Sequence, residues 1–127
     1  MHTTELLRAG DAGVDRTRLA VAGFLARYRG ATRIDYQSDL RCYLGWCDQV
    51  DIGPLELTRA QLEVWVGHME ERQHLAPATV ARRLSTVSGM FRFAHLDGLI
   101  ETNPAEHVRR PRVPDESNRS GLDRMEL

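Results

Sequence analysis

The sequence contains no lysine, and all 17 of its basic residues are arginine. Two explanations fit this bias: the base composition of the source genome, and selection for the bidentate contacts that arginine makes with phosphate and guanine. The 18 acidic residues bring the net charge to −1, which excludes a uniformly basic protein. Acidic residues are nevertheless missing from the whole of residues 72–96. One segment of a near-neutral chain is therefore locally cationic.

Cysteine and long apolar runs are also scarce. Cys42 and Cys47 lie five positions apart on one predicted helix, so their side chains point to different sides and cannot form a disulfide with each other. Their spacing also differs from the C-x-x-C of redox and zinc sites. No apolar run reaches the roughly 20 residues of a membrane span, and the N-terminus lacks the apolar stretch of a signal peptide. We expect a cytoplasmic globular protein with no membrane partner.

The usual motifs of active sites and cofactor sites are missing too. The sequence has no Gly-rich phosphate loop, no G-x-S-x-G and no H-E-x-x-H. His68 and His74 lie six positions apart, which does not place them on one helix face. Tyrosine can act as a covalent nucleophile, but Tyr36 and Tyr43 fall on a predicted core stripe. We therefore expect no catalytic residue, metal, cofactor or small-molecule substrate in this chain.

The apolar residues recur at helical spacing, and no segment shows the alternation of a strand. The first predicted helix runs from an Asp15 N-cap to about Tyr28, after a polar leader over residues 1–14 that we predict to be flexible. Its predicted inner stripe has Phe24 near the edge and consists of Leu19, Ala22, Leu25 and Ala26.

Three further helices have clear start or stop signals. The second runs from Thr32 to about Val50, and its apolar stripe consists of Tyr36, Leu40, Tyr43, Leu44 and Cys47. Thr58 begins the third, with Gln61 completing a capping box and Leu57 placed to contact Leu62 as a hydrophobic staple. The fourth runs from Pro77 in its first turn to a stop at Gly98.

A short fifth helix is predicted from Asn103 to about Arg109, with Pro104 in its first turn. The sequence "RRPRVPDESNRSG" that follows is rich in proline and charge, which is typical of a linker. The prediction is an all-α bundle of four main helices plus a short fifth over residues 15–110, followed by a linker segment in residues 111–127.

The fourth helix has a cationic side. If Val80, Leu84, Val87, Phe91 and Ala94 point inward, the outer and flanking surface carries Thr79, Arg82, Arg83 and Thr86. Arginine beside small hydroxyls can approach a phosphate backbone closely. A solvated face of a bundle helix explains the same pattern, and the sequence leaves both interpretations open.

A second row of basic residues lies on the second predicted helix. Arg33, Gln37 and Arg41 are four positions apart, which places them on one side. Asp35 and Asp39 are close enough to pair with these arginines and neutralise them. A second cationic stripe and a set of surface ion pairs are both consistent with this spacing.

The ordered set of motifs resembles the N-terminal core-binding domain of tyrosine recombinases, the phage-integrase family. The resemblance extends over residues 16–114. Its most specific part is a series of residues in the second half of the chain: Thr79, Arg82 or Arg83, Leu84, Ser85, Phe91, Asp97, Gly98, Asn103 and Pro104.

This resemblance implies a SAM-like core-binding fold that packs against one side of duplex DNA near the crossover site. In the family, the helices that correspond to the second and fourth face the DNA. The implied DNA-binding residues are therefore Thr32, Arg33 and Arg41 on the second helix, and Thr79, Arg82, Arg83 and Thr86 on the fourth. Other recombinase protomers are implied partners in the full-length protein.

The family's catalytic residues lie in a separate C-terminal domain, and "RSGLDRMEL" resembles its opening. We therefore expect a chain that binds DNA without cutting it, because the nucleophilic tyrosine would lie beyond Leu127. Removing Arg82 and Arg83, which we predict to be exposed, should weaken DNA binding and leave stability nearly unchanged. The alternative function is a helical module that binds protein.

Overall fold

The computed structural model of the chain describes the backbone of residues 2–114 and the side chains of residues 12–114. This part of the chain contains a short π-helical segment, His68–Arg72, that directly continues the third of four α-helices. The helices are α1 (His2–Leu25), α2 (Gly30–Val50), α3 (Arg59–Gly67) and α4 (Pro77–Leu96). No strand occurs within residues 2–114, which confirms the all-α prediction.

The first helix begins earlier than predicted. It extends back to His2, so the predicted start at Asp15 is wrong. The intervening residues include alanine, leucine, glutamate and arginine, which favour helix, and no proline. A helix that already exists can extend at little cost, because the unfavourable nucleation step has been completed elsewhere. That residues 1–14 form a flexible leader outside the domain stays a prediction.

The buried face of α1 also differs from the prediction. Leu19 is 59% exposed, whereas Phe24, predicted at the edge of the stripe, is only 2% exposed. Residues 19–26 are almost all apolar, so periodicity alone could not select the inner face. The partner helix selects it, because Gly89 of α4 leaves room for the Phe24 ring. A Cβ atom at position 89 would lie 2.8 Å from that ring.

The predicted helix boundaries hold for α3 and α4. The Thr58 hydroxyl accepts a hydrogen bond from the Gln61 backbone N–H at 3.2 Å, and the Gln61 side chain accepts one from the Thr58 N–H at 2.8 Å, which confirms the capping box. Pro77 lies in the first turn of α4. Gly98 follows its end with φ of 76°, and the Leu99 N–H donates to the Ala94 carbonyl at 2.9 Å, closing a Schellman-type turn.

The short fifth helix was predicted wrongly, because the structure has turns over residues 104–107. The Asn103 side chain accepts a hydrogen bond from the Ala105 N–H at 2.9 Å, and the Val108 N–H donates to the Ala105 carbonyl, three positions back. A segment this short, limited by Pro111, cannot complete the i to i−4 hydrogen bonds of a helix. Ala105 and Val108 still contribute to the core.

The core lies between α4 and the other helices. The five predicted inward residues of α4 are all buried, together with Tyr43 of α2 and Trp65 of α3. The Tyr43 ring lies 5.1 Å from Trp65, and its hydroxyl donates to the Pro54 carbonyl at 2.6 Å. This contact ties the loop between α2 and α3 to the core. None of the helices within residues 2–114 is long and apolar enough to cross a bilayer.

Candidate nucleic-acid interface

A buried carboxylate, Asp39 of α2, connects the two helices that carry the predicted DNA-binding residues. Its side chain is fully buried, and Arg82 of α4 donates to its Oδ1 at 2.7 Å. The Arg82 side chain remains 53% exposed, so the same guanidinium contacts the buried acid and reaches solvent. The hydrogen bond to Asp39 raises the pKa of Arg82. Arg82 is therefore a fixed cation at the surface.

Thr86 belongs to this buried connection. It is only 3% exposed, and its hydroxyl lies 2.9 Å from Asp39 Oδ2 and 3.1 Å from the Arg82 carbonyl. The predicted position of Thr86 on the outer surface is therefore wrong. The core side of α4 is wider than the apolar stripe, because a buried acid on α2 gives a threonine there a hydrogen-bond partner. Thr86 can support Arg82 but is not accessible for direct contact with DNA.

Arg83 is more buried than predicted. Its side chain is 19% exposed, and its Nε lies 3.9 Å from Asp39 Oδ1. This Nε is buried and has no hydrogen-bond partner within the described residues. The expectation that Arg82 and Arg83 could both be removed without a loss of stability therefore has no structural support. Asp39 would be left as an uncompensated buried charge, which is strongly unfavourable.

Arg41 and Arg83 line the same surface pocket, although they come from different helices. The pocket has a volume of about 200 Å³ and lies between α2, the π-helical segment and α4. Its remaining lining includes Trp46, His68 and Gln73, and contains no acidic residue. Arg41 is exposed and forms no ion pair among residues 12–114. The structure thus joins one predicted residue of α2 to one of α4.

The other predicted residues are placed more loosely. Thr32 and Arg33 are exposed in the first turns of α2, and Thr79 is half-buried in the first turn of α4. No described contact joins Arg33 to Arg41, Arg82 or Arg83. Arg33 also forms no ion pair within residues 12–114, so the alternative in which Asp35 and Asp39 pair with Arg33 and Arg41 is wrong. Asp39 pairs across the bundle instead.

The chain after the last turn adds a basic residue that the sequence did not single out. Arg110 returns to α4, where its guanidinium donates to the Ser85 hydroxyl at 3.3 Å. The neighbouring Arg109 backbone N–H donates to Glu63 at 3.1 Å, and Arg59 pairs with the same carboxylate at 2.8 Å. These two contacts lower the pKa of Glu63, the Arg109 hydrogen bond more strongly. The start of the predicted linker is therefore fixed against the bundle.

The sequence contains a signal for the buried roles of Asp39 and Thr86, but none for the contact between Arg110 and Ser85. Asp39 lies three positions after Tyr36 and four before Tyr43, so it falls inside the apolar stripe of α2. An acid at such a position indicates a buried basic or hydroxyl partner. Thr86 is that hydroxyl partner. The return of Arg110 to Ser85 depends on the turn at residues 104–107, and no local pattern predicts it.

Other kinds of site have less support in the structure. No group of three or more histidine, cysteine or acidic side chains that could hold a metal occurs in the part of the chain the structure describes. The Tyr43 hydroxyl is bonded to the Pro54 carbonyl, and burial raises the pKa of Tyr43 well above its usual value. Tyr28 and Tyr36 contact each other edge to face at 4.7 Å in a half-buried aromatic cluster.

Comparison with known families agrees with this architecture. A family model described as the N-terminal SAM-like domain of phage integrase matches residues 23–98, which is more than half of the chain. The chain belongs to this phage integrase family. The matched residues include α2, α3 and α4, and therefore Asp39, Arg82 and the Arg41–Arg83 pocket.

Individual relatives are tyrosine recombinases. The chain is 35% identical over 109 residues to tyrosine recombinase XerC of Xanthomonas campestris, covering 80% of this chain and 34% of the relative. It is 27% identical over 86 residues to XerD of Chlorobaculum tepidum, covering 68% and 28%, and 25% identical over 91 residues to XerC of Treponema denticola, covering 72% and 30%. The chain thus spans about a third of the length of these relatives. No solved structure matches it significantly.

Proposed function

We propose that this phage integrase domain binds duplex DNA at the crossover site of a site-specific tyrosine recombinase, in DNA integration or recombination. The observation that carries the proposal is the arrangement around Asp39. One buried carboxylate holds Arg82 at the surface, and the guanidinium nitrogens that it does not engage remain able to donate to phosphate. Arg41, Arg83 and Arg110 extend this basic surface, and acidic residues are absent from residues 72–96.

The role in the complete recombinase is to hold the duplex while another part of the protein performs strand cleavage. The three tyrosines of this chain are poor candidates for a nucleophile, since Tyr43 is buried and Tyr28 and Tyr36 pack in an aromatic cluster. A tyrosine, and arginines that stabilise the pentavalent phosphate, would then come from the catalytic domain. Residues 115–127, which include the predicted opening of that domain, lie outside the described residues.

Binding of the 127-residue chain to a fluorescently labelled duplex tests this proposal. Anisotropy should show weak binding, and the logarithm of the binding constant should fall linearly with the logarithm of salt concentration, because counterions are released. Arg110→Gln removes one exposed cation and should reduce the salt slope by about 1. Arg18→Gln, an exposed arginine on α1 beside the 53–56 loop, is the matched control. Binding that does not depend on salt would contradict the proposal.

A protein-binding module remains the second candidate, because α1 exposes apolar side chains. Leu19 and Val14 are both exposed, and Val14 lines a mostly apolar groove of about 430 Å³ between α1 and the 53–56 loop. This surface lies on a different part of the bundle from Arg82, so contact with another protomer and binding of DNA are compatible. A sedimentation coefficient that rises with the concentration of the chain alone would favour this function.

A further inference from the structure

The chain stays against the bundle well beyond Leu96, the last residue of α4. Ala105 and Val108 are buried in the core, and Pro111 is half-buried. Residues 112–114 are all exposed. The chain therefore leaves the surface of the bundle at residues 112–114, and the segment before them is part of the folded domain.

A single carboxylate of α3 holds the end of this segment. The Arg109 backbone N–H donates to Glu63 Oε2 at 3.1 Å, and the Arg59 guanidinium contacts the same oxygen at 2.8 Å. Arg59 lies one turn before Glu63 on the same helix, so this ion pair orients the carboxylate toward the chain. The hydrogen bond from Arg109, followed by that from Arg59, lowers the pKa of Glu63. The contact with the Arg109 N–H is therefore charge-assisted.

The other acidic residues of this surface make no such contact. Glu70 and Glu71 line a pocket of about 230 Å³ together with Glu63 and residues 109–112. Within residues 12–114, neither of them forms an ion pair or a hydrogen bond with that segment. A general attraction between the acidic edge of α3 and the arginines after it can thus be separated by experiment from the directed bond at Glu63.

We infer that Glu63 anchors the start of the linker, so that a domain following this one moves about residues 112–114 and not about the end of α4. The anchor stands independently of DNA binding, whereas the catalytic domain that would move about this joint rests on the proposed function. An extended chain spans roughly 3.5 Å per residue, so release of residues 109–112 would lengthen the linker by up to about 14 Å. Glu63 thereby limits where a following domain can lie relative to the duplex.

This limit has a consequence for the proposed recombinase. Catalytic groups must be placed on the scissile phosphate with high precision, because a misplacement of about 1 Å can cost on the order of a hundredfold in rate. A linker that begins at a fixed point restricts the positions that the following domain can sample. Glu63 is therefore a positioning residue, which acts through the backbone of Arg109 without contacting DNA.

Amide hydrogen exchange in the isotope-labelled 127-residue chain tests the anchor without DNA. The Arg109 amide should be protected, and Glu63→Ala should accelerate its exchange about three- to tenfold, as expected for the loss of one exposed hydrogen bond. Glu63→Gln should have a smaller effect, because its amide oxygen can still accept from the same N–H. Glu70→Ala, the matched control, removes a carboxylate from the same pocket and should leave Arg109 exchange unchanged.

Backbone order parameters measured by NMR locate the joint. Arg109 and Arg110 should be as rigid as the helices, at about 0.85, whereas Val113 should fall below about 0.6. In Glu63→Ala the low values should extend back to Arg109. The amide of Val108, which donates to the Ala105 carbonyl, should be unaffected and shows that the variant is folded.

The outcomes separate the anchor from the proposed function. Equal Arg109 exchange in the unchanged chain and in Glu63→Ala would overturn the anchor, and so would equal acceleration in Glu63→Ala and Glu70→Ala, which would assign the effect to charge alone. Either result leaves salt-dependent duplex binding as a separate test. Protection of Arg109 that only the Glu63 variants reduce, in a chain that binds no duplex, would overturn the proposed function and leave the anchor standing.

Discussion

At the scale of single residues, Asp39 connects the stability of the bundle to its surface charge. It is an acid without solvent exposure, and its two oxygens are used by Arg82 and Thr86. A buried carboxylate is costly unless its oxygens are hydrogen-bonded and its charge is balanced. The same contacts that satisfy Asp39 fix Arg82 in one orientation. Asp39 therefore acts as a positioning residue for the proposed DNA-binding surface.

Asp39→Asn tests this role, because charge and positioning predict opposite effects on DNA affinity. The variant removes a negative charge, which by itself should strengthen DNA binding. It also weakens the hold on Arg82, and we expect this loss to dominate, so that duplex affinity falls. The free energy of unfolding should decrease by about 1–3 kcal/mol, since an amide cannot replace the charged hydrogen bond. Urea unfolding and duplex anisotropy measure the two effects.

The matched control is Asp35→Asn. Asp35 is exposed on the same helix, and its charge contributes to raising the pKa of Arg82, but it makes no hydrogen bond to that residue. Removing this charge should strengthen DNA binding slightly and leave stability nearly unchanged. If Asp39→Asn strengthened binding as Asp35→Asn does, Asp39 would not have a positioning role.

At the scale of the helices, the contact between α1 and α4 depends on one glycine. Gly89 faces the Phe24 ring, which is buried among Tyr28, Tyr36 and Phe93 and has little room to move. Gly89→Ala should therefore destabilise the domain by about 1–3 kcal/mol through overpacking. Alanine is otherwise the better helix former by up to about 1 kcal/mol, so the sign of the change identifies the contact.

Gly45→Ala provides the comparison in α2. Gly45 is an exposed helix residue, and a Cβ there would meet nothing within 4 Å. Helix propensity alone then operates, and this variant should stabilise the domain by roughly 0.5–1 kcal/mol. Thermal or urea unfolding of the two variants should therefore give shifts of opposite sign. Equal stabilisation in both would show that Phe24 and Gly89 are not in close contact.

Whether a structural feature could be predicted depends on how far apart in the chain its interacting residues lie. The start of α3 and the stop of α4 are local, since Thr58 and Gln61, or Gly98 and Ala94, are near each other in the chain. These features were predicted correctly. The buried face of α1 depends on Gly89, more than 60 positions away, and its uniformly apolar end contains no periodic signal. The predicted fifth helix does not form, because capping residues cannot stabilise so short a segment.

The candidate site was less predictable than the helices for the same reason. Arg82 and Arg41 could be placed near a surface from their spacing alone. The burial of Thr86 and most of Arg83 depends on Asp39, which lies 43 positions before Arg82. A charged residue inside an apolar stripe indicates that a partner exists but does not identify it. Pairing across the bundle is a tertiary property.

At the scale of the whole molecule, an uneven distribution of charge reconciles a net charge of −1 with a cationic surface. Carboxylates are concentrated beside α3, where Glu63, Glu70 and Glu71 line a pocket together with residues 109–112. Of the first residues after the bundle, Arg109 is held by a carboxylate, that of Glu63, while the lining of the Arg41–Arg83 pocket contains no acidic residue. Local charge, rather than the total, determines which surface favours an anionic partner such as the proposed DNA.

The two cysteines report on whether this whole arrangement unfolds as one unit. Cys42 is exposed, whereas Cys47 is buried in the core, and burial raises the pKa of Cys47 to about 11. Because the thiolate is the reactive form, Cys42 should react with a thiol reagent in the native chain at pH 8, and Cys47 should react only after unfolding. The slow phase of thiol titration should then follow urea-induced loss of helix. Fast reaction of both thiols in native buffer would contradict a single cooperative core.

The same shift predicts a loss of stability at alkaline pH. In the unfolded chain Cys47 loses its proton near the ordinary thiol pKa of 9.0, whereas the folded chain retains it up to about 11. The folded state therefore binds more protons between these values, and the stability contributed by the protonated thiol is present below pH 9 and lost as the pH rises toward 11. Tyr43, whose pKa burial also raises, acts in the same direction. Cys47→Ala should show a shallower decline in the free energy of unfolding over this range than Cys42→Ala, and identical slopes would contradict the burial of the Cys47 thiol.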